Sequence, residues 1–88
     1  MSGTALTAAS YKGLIKVVEI LLKNKANPNI ADKQGSTPLI YATLAKNEKI
    51  IKLLLSEGAD KSHKDTRGNS AIQYALISND TTIINLLK

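Results

Sequence analysis

The chain is 88 residues long, with 43% hydrophobic positions, a net charge of +5 and no cysteine. That length holds one small unit, since two independent cores need roughly 100 residues or more; the missing Cys excludes a disulfide framework, a thiolate metal site and a cysteine nucleophile. No apolar run approaches the ~18 residues of a membrane-spanning helix, and no charged-then-apolar leader is visible, so the expected compartment is the cytoplasm.

Along the chain, residues recur at a step of 33. Thr4 answers to Thr37 and Ser70, Leu6 to Leu39 and Ile72, and Ala9 to Ala42 and Ala75. Val17-Val18 answers to Ile50-Ile51 and Ile83-Ile84, Leu21 to Leu54 and Leu87, Ala26-Asn27 to Ala59-Asp60, and Asp32 to Asp65. So many columns agreeing at one spacing make the sequence three copies of one unit, at about 1–31, 32–64 and 65–88. The first copy lacks the opening Asp and half its turn, and Met1-Ser2-Gly3 reads as partly a cloning remnant. The middle copy opens on Asp32-Lys33-Gln34-Gly35, with Asp first and Gly fourth as in a type I turn. Thr37-Pro38 predicts a helix start, a hydroxyl N-cap followed by Pro at the first helical position. A short helix is predicted from about Pro38 to Ala45, an interruption at Lys46-Asn47, and a second helix from about Glu48 to Ser56 with one wide apolar face. Gly58 stands where a left-handed C-cap is wanted. The last copy repeats the turn as Asp65-Thr66-Arg67-Gly68 and stops at Lys88, near the end of its second helix.

Helices this short do not hold in isolation. Each apolar face needs the next unit to cover it, which predicts an all-α stacked solenoid. The stretch Asp32-Lys33-Gln34-Gly35-Ser36-Thr37-Pro38-Leu39, with Leu53-Leu54-Leu55-Ser56-Glu57-Gly58-Ala59-Asp60, resembles an ankyrin repeat, and the resemblance covers essentially the whole chain. It implies a single domain over 1–88, three helix-turn-helix repeats joined by β-hairpin-like turns. Departures are local. Thr7, Ile40 and Gln73 stand where the family often has His; Ala5 and Ala71 replace the helix-starting Pro; Lys46 and Asn79 replace the Gly between helices that Gly13 keeps; Lys25 replaces the C-cap Gly. Leu14 falls where the family's helix usually starts with a polar residue, and Leu76 with Ile77 makes the last unit apolar where a terminal repeat is normally polar. An end of the array is therefore expected to be covered, in a longer protein or by self-association through the uncapped terminal repeats.

The residues offer little chemistry. His63 is the only histidine, and Ser62, His63 and Asp65 are loop neighbours that point apart, so a catalytic triad is not expected. His63 reads as an exposed loop residue that helps the hairpin. The seven acids are scattered, Asp32 and Asp65 read as turn formers, and Gly13, Gly35, Gly58 and Gly68 are too far apart for a phosphate loop. Neither enzyme activity, a cofactor nor a metal is expected. Net charge by unit is +3, +2 and zero, and Lys16, Lys23, Lys49 and Lys52 lie on second helices as a solvated outer face. With one Arg and no Trp or Phe, base readout and stacking are poorly served, which argues against nucleic acid.

Protein binding remains. In the family that the chain resembles, hairpin tips and the exposed side of the first helices meet partners. On this chain the tips map to Ala31, Lys33, Gln34, Ser36, Lys64, Thr66, Arg67 and Asn69, and the helix ends to Tyr11, Lys12, Leu44, Ala45, Ile77 and Ser78. The column Tyr11, Leu44, Ile77 runs beside Tyr41 and Tyr74, rimmed by Lys12, Lys33, Lys64 and Arg67. Two readings stand for it: an interaction patch for a protein with an acidic epitope, or padding of the groove between neighbouring repeats, with the two tyrosines half-buried for packing. A spacer within a longer array, or an engineered scaffold, is the alternative to a binding role. Ten Ile against two Val, and eleven Lys against one Arg, look like genomic base composition more than consensus design.

Overall fold

A computed structural model describes residues 4–88. The reading of Met1-Ser2-Gly3 lies outside them. Six helices follow in order: α1 (Ala5–Lys12), α2 (Ile15–Lys23), α3 (Pro38–Leu44), α4 (Glu48–Ser56), α5 (Ala71–Ser78) and α6 (Thr81–Leu87). No strand occurs among the described residues. The middle pair lies where the sequence puts it, except that Ala45 is the C-cap of α3 and not its last residue.

Polar caps set the helix starts. The Oγ1 atoms of Thr4 and Thr37 accept the N–H groups of Thr7 at 3.2 Å and Ile40 at 3.4 Å. Before α4 and α6, the Oδ1 atoms of Asn47 and Asp80 take the N–H groups of Ile50 and Ile83. Leu14 has no such atom, and α2 begins without a side-chain cap. In the last repeat Gln73 Oε1 accepts from the N–H of Ser70 at 2.6 Å and its hydroxyl at 3.2 Å, so the departure from His becomes a capping interaction.

The helices stack in two layers. The first helices pack α1 on α3 and α3 on α5; the second pack α2 on α4 and α4 on α6. Small Ala9, Ala42 and Ala75 are buried between the layers, which lets the backbones approach. Leu6, Val18, Leu39, Ile50, Ile51, Leu54 and Ile83 are almost completely enclosed. The result measures 32 × 26 × 20 Å.

Three non-glycine residues hold a left-handed backbone: Lys25 (φ +66°), Lys46 (φ +57°) and Asn79 (φ +58°). These are three of the positions where the sequence departs from glycine. Lysine has no side-chain compensation there, whereas Asn tolerates the conformation. Lys46→Gly is therefore expected to stabilise the chain by about 0.5–1 kcal/mol and Asn79→Gly by less. Urea denaturation followed by circular dichroism measures both; a Lys46→Gly variant no more stable than the parent contradicts the assignment of strain.

Candidate functional site

The hairpin turns are built on their aspartates. Asp32 Oδ1 accepts the N–H groups of Gln34 and Ser36, both at 3.0 Å, while Gly35 N–H bonds Asp32 O at 2.9 Å. Asp65 Oδ1 repeats this with Arg67 and Asn69 at 3.0 Å, and Gly68 N–H closes the turn. Gly35, at φ +75°, is needed twice over, because a Cβ there would also stand 3.0 Å from the Thr66 amide of the next hairpin. The two hairpins are joined directly: Thr66 N–H donates to Gln34 O at 2.9 Å, and His63 Nε2 to Gly35 O at 2.8 Å. His63 is thus half-buried and ties the end of the second repeat to the hairpin that opens it, where the sequence suggests an exposed loop residue.

The second oxygen of each aspartate has a partner that the sequence reading missed. The Tyr41 hydroxyl donates to Asp32 Oδ2, and the Tyr74 hydroxyl to Asp65 Oδ2. Both pairs are nine residues apart. The first copy has Ala8 at the tyrosine position and no aspartate, so the pair varies together along the repeats, a signal legible in the sequence. Burial by itself would raise the Asp32 carboxyl, but the Tyr41 hydroxyl and the turn amides outweigh it and hold the group below its usual range. Asp65 is lowered too: burial opposes, while Tyr74, the amides of Asn69 and Arg67, and the Arg67 charge prevail. The hydrogen bond to Asp32, and then burial, push the Tyr41 hydroxyl above its ordinary value.

Between the second and third hairpins lies a depression of about 210 Å³, lined by Gln34, Ser36, Tyr41, Leu44, Asp65, Thr66, Arg67 and Tyr74. Seven of these eight are among the residues singled out from sequence; Asp65 is the addition. Ser36 reaches it while almost fully buried, its N–H tied to Asp32, so it offers floor and not an exposed contact. Tyr41 and Tyr74 are half-buried and Leu44 is exposed. Tyr11 stands exposed next to this group, its ring edge-on to Tyr41 at 5.6 Å and 77°. Lys12, Lys33, Lys64 and Ala45 are exposed and outside the depression. Ile77, the most exposed large apolar residue among the described residues at 77%, also lies outside its lining. The aspartates turn their oxygens onto amides and tyrosines, whereas Arg67 in the lining, and Lys12, Lys33 and Lys64 outside it, are exposed, which leaves Leu44 and the tyrosine rings beside uncompensated cations.

A second hollow of about 320 Å³, lined by Glu19, Leu22, Lys23, Leu53 and Glu57, lies on the opposite layer between α2 and α4. Its lining carries two glutamates against one lysine and shares no residue with the hairpin depression. Among the described residues no group of His, Cys, Asp and Glu could hold a metal ion, and no helix is long and apolar enough to cross a membrane. A family model of ankyrin repeats in three copies matches residues 2–65. A comparison with curated proteins finds no match.

Proposed function

Since the chain belongs to the ankyrin-repeat family, whose members are non-catalytic modules that generally bind proteins, we propose that residues 1–88 act as one such unit, of repeats 1–31, 32–64 and 65–88, and bind a partner along the hairpin tips and first helices. The observation that supports this most is the depression between the second and third hairpins. It joins an exposed Leu44 and two anchored tyrosines to the exposed Arg67, with Lys33 and Lys64 exposed on the same hairpin segments. An apolar centre with a polar, charged rim is the anatomy of an interface. The two hairpins are tied by the Thr66–Gln34 backbone bond, so little loop freedom remains to be lost on docking. The rim suits an acidic epitope, and the cytoplasm is the compartment this reading assigns.

The test is a partner captured from native cytosol, then remeasured with purified chains. Leu44→Asp is expected to weaken binding at least tenfold with an unchanged helical signal, because it buries an unpaired charge against the two tyrosines. Association with the unaltered chain should slow as salt rises, since the cationic rim steers encounter. Undiminished affinity in Leu44→Asp, or association rates indifferent to salt, contradicts the assignment. A spacer in a longer array predicts no saturable partner at this face.

A further inference from the structure

The Tyr41 and Tyr74 rings belong to a ladder of two equivalent rungs. Tyr11 leans edge-on against Tyr41, one repeat further along, and Leu44 lines the depression with Tyr74, its counterpart in the same relation. Tyr11 and Leu44 share one column of the repeat register, Tyr41 and Tyr74 another. Leu44 is still 46% exposed with a repeat stacked on either side of it, so further repeats of the same kind would leave it open. Most polar groups around the ladder are already spent. Both tyrosine hydroxyls donate to aspartates, and the amides of Gln34, Ser36, Thr66, Arg67 and Asn69 are each bonded within or between the hairpins. An occupant therefore meets apolar surface, with the exposed residues Gln34, Thr66 and Arg67 beside it.

We infer that the partner segment taken up here is an amphipathic α-helix laid along the stack, with apolar residues seven apart on the two rungs and acidic residues on the flank facing Arg67. This rests on the reading of the depression as the partner site and names what fills it. An extended segment brings unpaired carbonyls and amides that need partners on the surface it joins. The hairpin amides around the depression are committed, and no strand edge occurs among the described residues. A helix satisfies its own backbone and asks only for apolar surface and a few charges. Spacing agrees. Packed helices stand about 8–10 Å apart, which sets the interval between rungs; residues seven apart on a helix share a face at about 10.5 Å. Same-face residues of a strand fall at about 6.6 or 13 Å and straddle that interval. A polyproline segment meets it, at about 9.3 Å per turn, but leaves its backbone unsatisfied. Charge selects the flank. Arg67, Lys33 and Lys64 are exposed along the hairpins, while the Asp32 and Asp65 carboxylates are buried in their own hydrogen bonds, so acidic side chains on that side meet cations.

Selection of displayed peptides on the immobilised 88-residue chain tests this with two libraries. One is randomised along one face of a helix-forming frame, the other on a proline-rich frame that cannot form a helix. The helical library is expected to yield binders with apolar residues seven apart and Glu or Asp along one side, and their circular dichroism should gain helix on binding. Proline at the centre of such a binder should weaken it at least tenfold, and exchanging its flanking Glu for Gln should remove its salt dependence. On the Leu44→Asp chain the binders should lose at least tenfold. Arg67→Gln, an exposed change expected to keep the helical signal, should weaken the acidic binders several-fold and leave their Gln counterparts unaffected. Binders from the proline frame that depend on Leu44, alone or as tight as the helical ones, overturn the inference and leave the depression standing as a partner site. Helical binders that hold Leu44→Asp as tightly as the parent, or no binder from either library, overturn the site and the helix with it.

Discussion

Ile50→Ala should unfold all three repeats together, lowering stability by about 2–4 kcal/mol, the range for truncating an enclosed branched side chain. Ile50 lies on α4, in the layer that packs on both α2 and α6, and no part of it reaches water. A small domain of this size has only about 5–10 kcal/mol in total, so the loss removes a large share of it. The effect spreads because no helix exceeds nine residues, below the length at which helices persist alone. A first or third repeat that loses the middle one has nothing left to cover its apolar side. Val17→Ala, at the same register one repeat earlier, is expected to cost less than about 1 kcal/mol, since much of that side chain is already in water. Urea unfolding monitored by circular dichroism separates the two: a single transition moved to lower denaturant with unchanged slope for Ile50→Ala, and almost no movement for Val17→Ala. A broken, two-step curve, or equal shifts, contradicts this account of where stability resides.

The asymmetry between those two residues marks what sequence periodicity carries and what it leaves out. Val17 and Ile50 occupy one column and look equivalent in the sequence; only the order of stacking makes one a surface residue and the other core. Periodicity does deliver the helices, because Thr37-Pro38, Asp32 to Gly35 and Gly58 are local instructions that need no partner to be read. It also delivers the side of the molecule on which Leu44, Gln34 and Arg67 converge, because a solenoid repeats its faces. Side-chain partnerships across each repeat are less legible. Asp32 reads as a turn former, and it is one, but Tyr41 reads as packing, and the hydrogen bond between them depends on how α3 tilts toward the hairpin. Gln73 poses the same difficulty. Its sequence context, Ser70-Ala71-Ile72-Gln73, is a capping box by spacing, yet beside the family pattern it looks like a lost histidine. His63 has no local cue, since its acceptor is the backbone of Gly35, 28 residues earlier at the opposite end of the same repeat.

Asp32→Ala should be the most damaging substitution at the hairpins, and its acid dependence is the sharper signature. Without the carboxylate, the amides of Gln34 and Ser36 and the Tyr41 hydroxyl lose their acceptor at a position only 8% exposed. Orphaned buried donors cost about 1–3 kcal/mol each; water reaching the turn recovers part of that, so the expected loss is about 2–4 kcal/mol. Asp32→Asn keeps a neutral acceptor and should lose about half as much, because charge-assisted bonds are roughly twice as strong as neutral ones. The sign of the pH effect follows from the direction of the shift. In the folded chain the Asp32 carboxyl is held below the 3.8 of the unfolded chain, so the native state releases its proton more readily. The stabilisation is therefore complete above that value and is lost as pH falls through it toward the lower, folded one. Asp65, lowered by the same kind of partners, adds to the same limb. Denaturation from pH 6 to pH 2 should thus show parent stability level at first and falling steeply below about pH 4. In Asp32→Asn with Asp65→Asn the fall should be shallower, the two curves converging as the pH drops. Parallel curves, separated by the same free energy at every pH, would mean that the carboxylates act as shape and not as charge. The tyrosine end of the pair gives the opposite limb. Tyr41 is held above its ordinary value of 10.0, so its contribution is whole below that pH and is lost as the solution becomes more alkaline. Tyr41→Phe should remove that alkaline loss while leaving the amide bonds to Asp32 Oδ1 in place.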